Sequence, residues 1–287
     1  MSEHNASPGY TGGILNLSGT RPGNAYKYDG PAMPHQIYFT MTFTSTHDAI
    51  EKLIVPPPLK VDRDLPPEVQ VLYFVNPGCR AYDGRVTPYQ GFMFMARVRH
   101  GDVAGRAGWE YVDGLYGDKT EMDIMGPWGV YFGMLKKMAD IRFTPIGGNE
   151  FEISVTRRGV RLVTMTIRTG TELSDAEIEA INAANSQVGK TLTVREIPNV
   201  NYSGFVDRSI CVAPSDGNTV SRAWAADKSS IVFGHDDLDP FDELPVLGVG
   251  GALSFDLNSD KELFSEMEIL ENLPLQETDT AARRVLA

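Results

Sequence analysis

A chain of 287 residues, 42% hydrophobic and 22% charged, has ordinary globular composition and can bury a sizeable core without disulfide or metal staples. Its 38 Asp and Glu against 26 Lys and Arg give a formal net charge of -12, a surface that repels phosphate backbones and anionic lipid, so neither nucleic acid nor membrane is an expected partner. Only Cys79 and Cys211 are present, with no Cys-x-x-Cys or Cys/His spacing, which excludes a disulfide scaffold and a zinc site and leaves two reduced thiols.

The N-terminus lacks a basic and then apolar leader, and no stretch approaches the length of a membrane span, so the expected location is the cytoplasm. Residues 1–34, rich in Gly, Pro, Asn and Ser, read as an irregular N-terminal arm before a single body over 35–270. Ile37 to Phe43 has strand composition; Thr46 is an N-cap signal for a short helix that stops before Pro56-Pro57-Pro58. Val69 to Val75 and Tyr89 to Arg99 are strand-like, and Phe92-Met93-Phe94-Met95 is apolar on both faces, as in a strand buried on both sides or lining a cavity. Trp109 to Leu115, Asp140 to Phe143, Phe151 to Thr156 and Val160 to Ile167 continue the series. Ser174 with Glu177 three residues on is a capping box that opens a helix. Strands are expected again at Leu192 to Ile197, Phe205 to Val212, Ser229 to Phe233 and Ala252 to Leu257, then a helix over Asp260 to Leu270 and a polar, mobile tail over 271–287. Many strands with few helices between them predict a mostly antiparallel sheet, closed or nearly closed, in an α+β fold.

No phosphate-binding loop, dinucleotide fingerprint, nucleophile elbow or zinc helix is present, and the five histidines show no ligand spacing, so no cofactor and no metal are expected. The unusual segment is Gly126 to Asp140. There Lys136 and Lys137 sit side by side in an otherwise aromatic and aliphatic run. Desolvation and a like-charged neighbour both disfavour an ammonium, which leaves free amine to attack a carbonyl carbon. In an extended segment the two side chains point to opposite faces, so when one of the pair is the nucleophile the other acts through its field alone.

The run Gly133-Met134-Leu135-Lys136-Lys137-Met138-Ala139-Asp140 resembles the acetoacetate decarboxylase signature, a Gly or aromatic followed by Pro-Lys-Lys-Leu, in which the first lysine forms an imine. Leu115-Tyr116-Gly117-Asp118 through Ile124-Met125-Gly126 is similar to that family's Met-Tyr-Leu-Asp strand end and the helix after it. Asp48-Ala49-Ile50 through Val55-Pro56-Pro57-Pro58-Leu59 resembles its helix and Pro-x-Pro-Leu turn, and Phe233-Gly234-His235 through Leu244-Pro245-Val246 the segment ending in its Leu-Pro-Val. The resemblance spans roughly residues 35 to 270. It implies a cone-shaped, mostly antiparallel β-barrel with a few peripheral helices, an imine lysine in its cavity, and a homo-oligomer. The activated lysine of this family is an established case of amine activation, not an inference from spacing.

The departures are as informative. By this alignment the family's pocket arginine falls near Gln36, its first pocket glutamate near Phe74, and the glutamate of its Tyr-x-Glu near Gly91; its Gly-Arg-Glu becomes Gly126-Pro127-Trp128. The nucleophile is kept and the polar clamp is lost. A wall of Phe74, Tyr89, Phe92, Phe94, Trp128 and Tyr131, with Gln36 and Gln90 beside it, suits a small-molecule carbonyl substrate larger and less polar than a β-keto acid. The expected activity is that of a Schiff-base lyase performing decarboxylation or aldolase and dehydratase chemistry, with Tyr89, Gln90, Glu110 or Asp118 available to move protons. The alternative is a non-catalytic binding protein on the same barrel, its clamp dismantled.

Overall fold

The structure, a computed structural model, describes residues 33–77, 88–115, 129, 132–188, 190–201, 203–214, 218–259 and 267–275. In chain order the elements are β1 (Met33–Thr44), α1 (His47–Leu53), β2 (Lys60–Val61), β3 (Glu68–Asn76), β4 (Tyr89–His100), β5 (Val103–Gly114), β6 (Lys136–Met138), β7 (Asp140–Gly147), β8 (Glu150–Arg157) and β9 (Val160–Glu172). There follow α2 (Asp175–Val188), β10 (Lys190–Pro198), β11 (Phe205–Pro214), β12 (Asn218–Phe233), a 3-10 turn (Phe241–Glu243), β13 (Gly248–Ser259) and β14 (Glu268–Asn272).

Among the described residues 14 strands join one sheet in the order β14-β11-β10-β5-β4-β3-β1-β13-β12-β9-β8-β7, with β2 beside β4 and β6 beside β5. Every pairing is antiparallel except β5 with β10 and β5 with β6. The ladders from β1 through β3 and β4 to β5 run without a register break, from Tyr38↔Phe74 through Phe74↔Gly91 to Gly91↔Val112. Unbroken register makes alternate residues face opposite sides all the way across. One side is core. Phe39, Met41 and Phe43 of β1, Val69, Val71 and Tyr73 of β3, Phe92, Phe94 and Ala96 of β4, and Tyr111 of β5 are buried in one cluster. Each such aliphatic or aromatic side chain contributes about 1.5–3 kcal/mol by leaving water.

The core is closed by the sheet folding over itself. Phe143 of β7 stacks on Tyr73 at 5.6 Å, Phe151 of β8 meets Phe39 at 5.5 Å, and Phe241 of the 3-10 turn stacks on Phe94 at 4.8 Å. As a result β7 touches β4 and β5 although it ends the strand order. The expected mostly antiparallel α+β architecture with peripheral helices is present. The two ends of the strand order, β14 and β7, do not pair among the described residues, so the sheet is strongly curved rather than hydrogen-bonded into a closed ring.

The helices follow their sequence signals. Thr46 Oγ1 accepts a hydrogen bond from the Ala49 N–H at 3.2 Å and so caps α1. Trp109 Nε1 donates to the Leu53 carbonyl at 2.9 Å, tying the end of α1 to β5. Ser174 donates from both N–H and hydroxyl to the Glu177 carboxylate at 2.8 and 2.7 Å, a variation on the capping box that opens α2. Ile178 and Ile181 of α2 pack with Val220, Ala223 and Leu257, and with Tyr38 and Phe255 on the side of the sheet away from the main core.

Several boundaries differ from the sequence reading. β5 starts at Val103 and β12 at Asn218, both well before the expected positions, because ladder partners on β4 and β13 hold stretches whose small and polar residues carry weak strand propensity. Glu268–Asn272, expected as the end of a helix and the start of a mobile tail, is strand, paired antiparallel with β11 from Ser209↔Asn272 to Val212↔Glu268; residues 260–266 of that expected helix lie outside the described residues. Met33 and Pro34 begin β1 rather than ending an arm; the rest of that arm, and the tail from residue 276, lie outside the described residues.

Candidate active site

The short strand β6 is placed from both ends. Before it, Gly133 adopts φ 68°, and a Cβ there would stand 2.5 Å from the Val194 carbonyl oxygen, so only glycine lets the chain turn this close to β10. Thr193 Oγ1 donates to the Phe132 carbonyl at 2.7 Å. The Glu110 N–H then donates to the Leu135 carbonyl at 3.0 Å, and the Ala139 N–H to the Val112 carbonyl at 3.1 Å, which sets Lys136 opposite Glu110 and Lys137 opposite Tyr111. In a strand this sends the two lysines to opposite faces.

Lys136 forms an ion pair with Glu110, and the two side chains are only 6% and 2% exposed. The second carboxylate oxygen of Glu110, Oε2, is buried with no hydrogen-bond partner. A pair so enclosed is held together by mutual attraction in a poorly screening medium while both charges lose their hydration, so its ionised and neutral forms lie closer in energy than they would in water.

Lys137 goes the other way. Its Nζ lies 2.5 Å from Asp239 Oδ1 and 4.8 Å above the centre of the Trp109 ring. Asp239 is fully buried and also receives Arg157 Nη1 at 2.7 Å and Arg158 Nη2 at 3.1 Å. Burial pushes the Asp239 carboxyl up, but hydrogen bonds from Lys137 and Arg157 outweigh it and hold the group below the usual carboxylate range. Burial, and then the charge of Asp239, push the Tyr111 phenol above its ordinary value. Arg157 Nε donates to the Met138 carbonyl at 3.2 Å, so the same cluster that fixes Lys137 also grips the β6 backbone.

The face that carries Lys136 and Glu110 is continued across the sheet by Met93, Gly91, Tyr89, Phe74, Tyr38 and Gln36. Tyr38 stacks on Phe255 at 5.0 Å and on Phe74 at 5.7 Å, Phe74 meets Tyr89 edge-on at 5.4 Å, and the Tyr38 hydroxyl donates to Gln36 Oε1 at 2.8 Å. The Phe74 ring lies directly over Gly91: a Cβ at residue 91 would fall 2.3 Å from Phe74 Cζ. The three positions aligned with the family's clamp, Gln36, Phe74 and Gly91, are thus neighbours on the lysine's face, and an aromatic ring covers the ground where a side chain at 91 would stand.

Other expected wall residues do not join this face. Phe92 and Phe94 point into the main core, as alternation from Gly91 and Met93 requires. Gln90 does the same, accepting from the Tyr73 hydroxyl at 2.8 Å and donating to the Ile141 carbonyl at 3.1 Å, so it is a core anchor and not a proton shuttle at Lys136. Trp128, Tyr131 and Asp118 lie outside the described residues. Of the four groups considered for proton transfer, Glu110 is in contact with Lys136. Asp239, Arg157, Tyr38 and Phe255 were not anticipated.

The family model described as acetoacetate decarboxylase (ADC) matches residues 19–260. The chain belongs to the acetoacetate decarboxylase family. No curated protein matches the sequence. Among solved structures, acetoacetate decarboxylase from Legionella pneumophila is similar over 93% of this chain and 99% of its own, at 16% identity and a TM-score of 0.66. Another acetoacetate decarboxylase is similar over 86% and 91%, at 17% identity and a TM-score of 0.65. MppR, an enduracididine biosynthesis enzyme complexed with pyruvate, is similar over 87% and 94%, at 16% identity and a TM-score of 0.57. At these identities the likeness establishes a shared fold. Among the described residues of this acetoacetate decarboxylase family member, no group of three or more His, Cys, Asp or Glu is arranged to hold a metal ion, and no helix is long and apolar enough to cross a membrane.

Proposed function

We propose that this acetoacetate decarboxylase family member is a carbon–carbon lyase that forms an imine between Lys136 and a carbonyl compound larger and less polar than acetoacetate. The observation that carries the reading is the buried Lys136–Glu110 pair. A proton passed from the ammonium to the carboxylate leaves a neutral amine and a carboxylic acid in contact. The amine attacks the carbonyl carbon and gives a carbinolamine. Glu110 then protonates the departing hydroxyl, which leaves as water, and the iminium forms beside a carboxylate. The iminium draws electrons from the bond to the neighbouring carbon, so carbon dioxide, a proton or an aldehyde can depart and leave an enamine. Protonation of the enamine carbon and hydrolysis of the imine return the amine.

The aromatic row of Tyr38, Phe74, Tyr89 and Phe255 supports the substrate class, because it offers area and stacking where a small β-keto acid would need a cation. MppR is also complexed with the condensation product of pyruvate and imidazole 4-carboxaldehyde, so aldol-type bond breaking stands beside loss of carbon dioxide as the reaction. The binding-only alternative gives no reason to keep a buried ion pair, which a pair of apolar residues could replace at no loss of stability. Borohydride reduction after exposure to a mixed library of ketones, aldehydes and enones, followed by peptide mass spectrometry, tests the proposal. The expected result is an adduct on Lys136, lost in Lys136→Ala and only weakened in Lys137→Ala. Equal adduct in wild type and Lys136→Ala refutes it.

A further inference from the structure

Two guanidinium groups stand opposite each other, with no counter-charge among the described residues, on the face that carries Lys136. Arg97 of β4 and Arg106 of β5 are direct partners in the antiparallel ladder, two ladder positions beyond Met95↔Gly108 from Met93↔Glu110 by alternation of faces. Both are half-buried. No described carboxylate lies within 4.0 Å of either one, and Arg97 Nε is buried with no hydrogen-bond partner. The other arginines of these strands and their neighbours are treated differently: Arg99, Arg157, Arg195 and Arg208 each have an Asp or Glu oxygen at 2.7–2.9 Å. Like charges directly opposite across two strands repel, so the pair is a standing cost to the fold in a chain that carries 12 more acidic than basic residues and has carboxylates to spare. Burial, and then the charge of Arg97, push the Arg106 guanidinium below its ordinary value.

The path from the pair to the lysine is clear of side chains on β5. Between Arg106 and Glu110 only Gly108 faces this way, and it is held as glycine because a Cβ there would fall 1.8 Å from the Phe94 carbonyl oxygen. Arg106 and Glu110 are four positions apart along the strand, about 13 Å. We infer that Arg97 and Arg106 form an oxyanion-binding subsite that holds the carboxylate or phosphate at the far end of an elongated substrate whose carbonyl reaches Lys136. Two forked guanidiniums can each bind such a group through paired N–H donors, and the anion removes their mutual repulsion. The substrate's carbonyl end rests on the function proposed for Lys136; the subsite itself does not. Met93 and Met95 of β4 would then flank the middle of the substrate, between the lysine and the arginine pair, and the charge absent from the family's clamp position would be met further along the sheet.

Probes without a ketone or aldehyde group, which cannot form an imine, separate the two ideas. Octanoate and octyl phosphate are titrated calorimetrically into wild type, Arg106→Gln and Arg97→Lys, and methyl octanoate serves as the uncharged control. The expected result is saturable binding of at least one anion, weakened about tenfold or more in Arg106→Gln, less in Arg97→Lys, and absent for the ester. A stronger response to octanoate marks a carboxylate subsite, and a stronger response to octyl phosphate a phosphate subsite. Because Arg106→Gln removes a repulsion, its Tm should equal or exceed that of wild type, so lost binding will not be lost fold. Borohydride trapping of ω-oxo fatty acids of graded length against their methyl esters then joins the two ends: acids should trap at lower concentration than esters in wild type, with an optimum length, and the advantage should vanish in Arg106→Gln. Anion binding that depends on Arg106 without any adduct on Lys136 keeps the subsite and overturns the imine. Adducts formed equally from acids and esters, with no Arg106-dependent anion binding, overturn the subsite and keep the imine.

Discussion

Replacing Glu110 by Gln keeps the shape of the side chain and removes its charge. Deleting one partner of a buried ion pair costs about 3–5 kcal/mol, and with side chains 6% and 2% exposed Lys136 and Glu110 belong to that case and not to the surface one. The stranded ammonium can escape by losing its proton. Taking a lysine from its ordinary value of about 10.4 to neutrality at pH 7 costs about 4.6 kcal/mol, or 1.36 for each of about 3.4 pH units. The two routes are similar in cost, so Glu110→Gln should be about 3–5 kcal/mol less stable than wild type at pH 7. They differ in pH dependence. Once the folded variant holds Lys136 neutral, the unfolded chain binds more protons than the folded one, so the variant gains stability relative to wild type as pH rises towards about 10.4. At pH 9.4 deprotonation costs only about 1.4 kcal/mol, and the deficit should fall to about 1–2 kcal/mol. Urea unfolding of both proteins at pH 7.0 and 9.4 measures this directly. A deficit below about 1 kcal/mol at pH 7, or one that does not change with pH, would refute the enclosed pair and with it the proton transfer assigned to Glu110.

The double replacement Lys136→Met with Glu110→Leu should be neutral or stabilising by about 1–4 kcal/mol in the same assay while abolishing adduct formation, which would show that the pair is retained for chemistry. Asp239→Asn should destabilise by about 3–5 kcal/mol at pH 7, because Lys137, Arg157 and Arg158 lose a buried carboxylate. Since the Asp239 carboxyl is held below its ordinary value, its contribution is present above about pH 4 and is lost as pH falls through the folded-state value, so the difference from wild type should close in acid. Gly91→Ala should cost about 1–3 kcal/mol by driving a methyl group into the Phe74 ring, and Phe74→Leu should relieve most of that penalty in a double-mutant cycle by thermal unfolding.

Much of the sheet could be read from the chain because its strands carry the periodicity of their burial. β1, β3 and β4 announce themselves by β-branched and aromatic residues, and the cap at Thr46 and the Ser174/Glu177 pair mark both helices. The doubly apolar run Phe92-Met93-Phe94-Met95 reads as a strand buried on both sides or lining a cavity, and which side holds the lysine depends on the parallel register Glu110↔Lys136, across 26 residues of chain and invisible in local pattern. That register is what removes Phe92, Phe94 and Gln90 from the wall and promotes Glu110 from one of several candidates to the lysine's partner. Asp239 lies 102 residues from Lys137, and nothing near either residue announces the other. β14 was missed for a related reason: a five-residue edge strand with Glu at both ends of Glu268-Ile269-Leu270-Glu271 has no strand signal of its own and exists because β11 offers it a ladder.

The contact between Phe74 and Gly91 also constrains the order of past events. A phenylalanine ring that reaches within 2.3 Å of where a Cβ would stand must shift before any side chain can stand beneath it. From a starting point with glutamate at both of these places, losing the side chain at residue 91 first is the less costly order, since the reverse sequence passes through a clash. The same contact now works as a ratchet: a single mutation that returns a carboxylate to residue 91 meets an occupied space, and the older polar pocket can be regained only by first undoing Phe74.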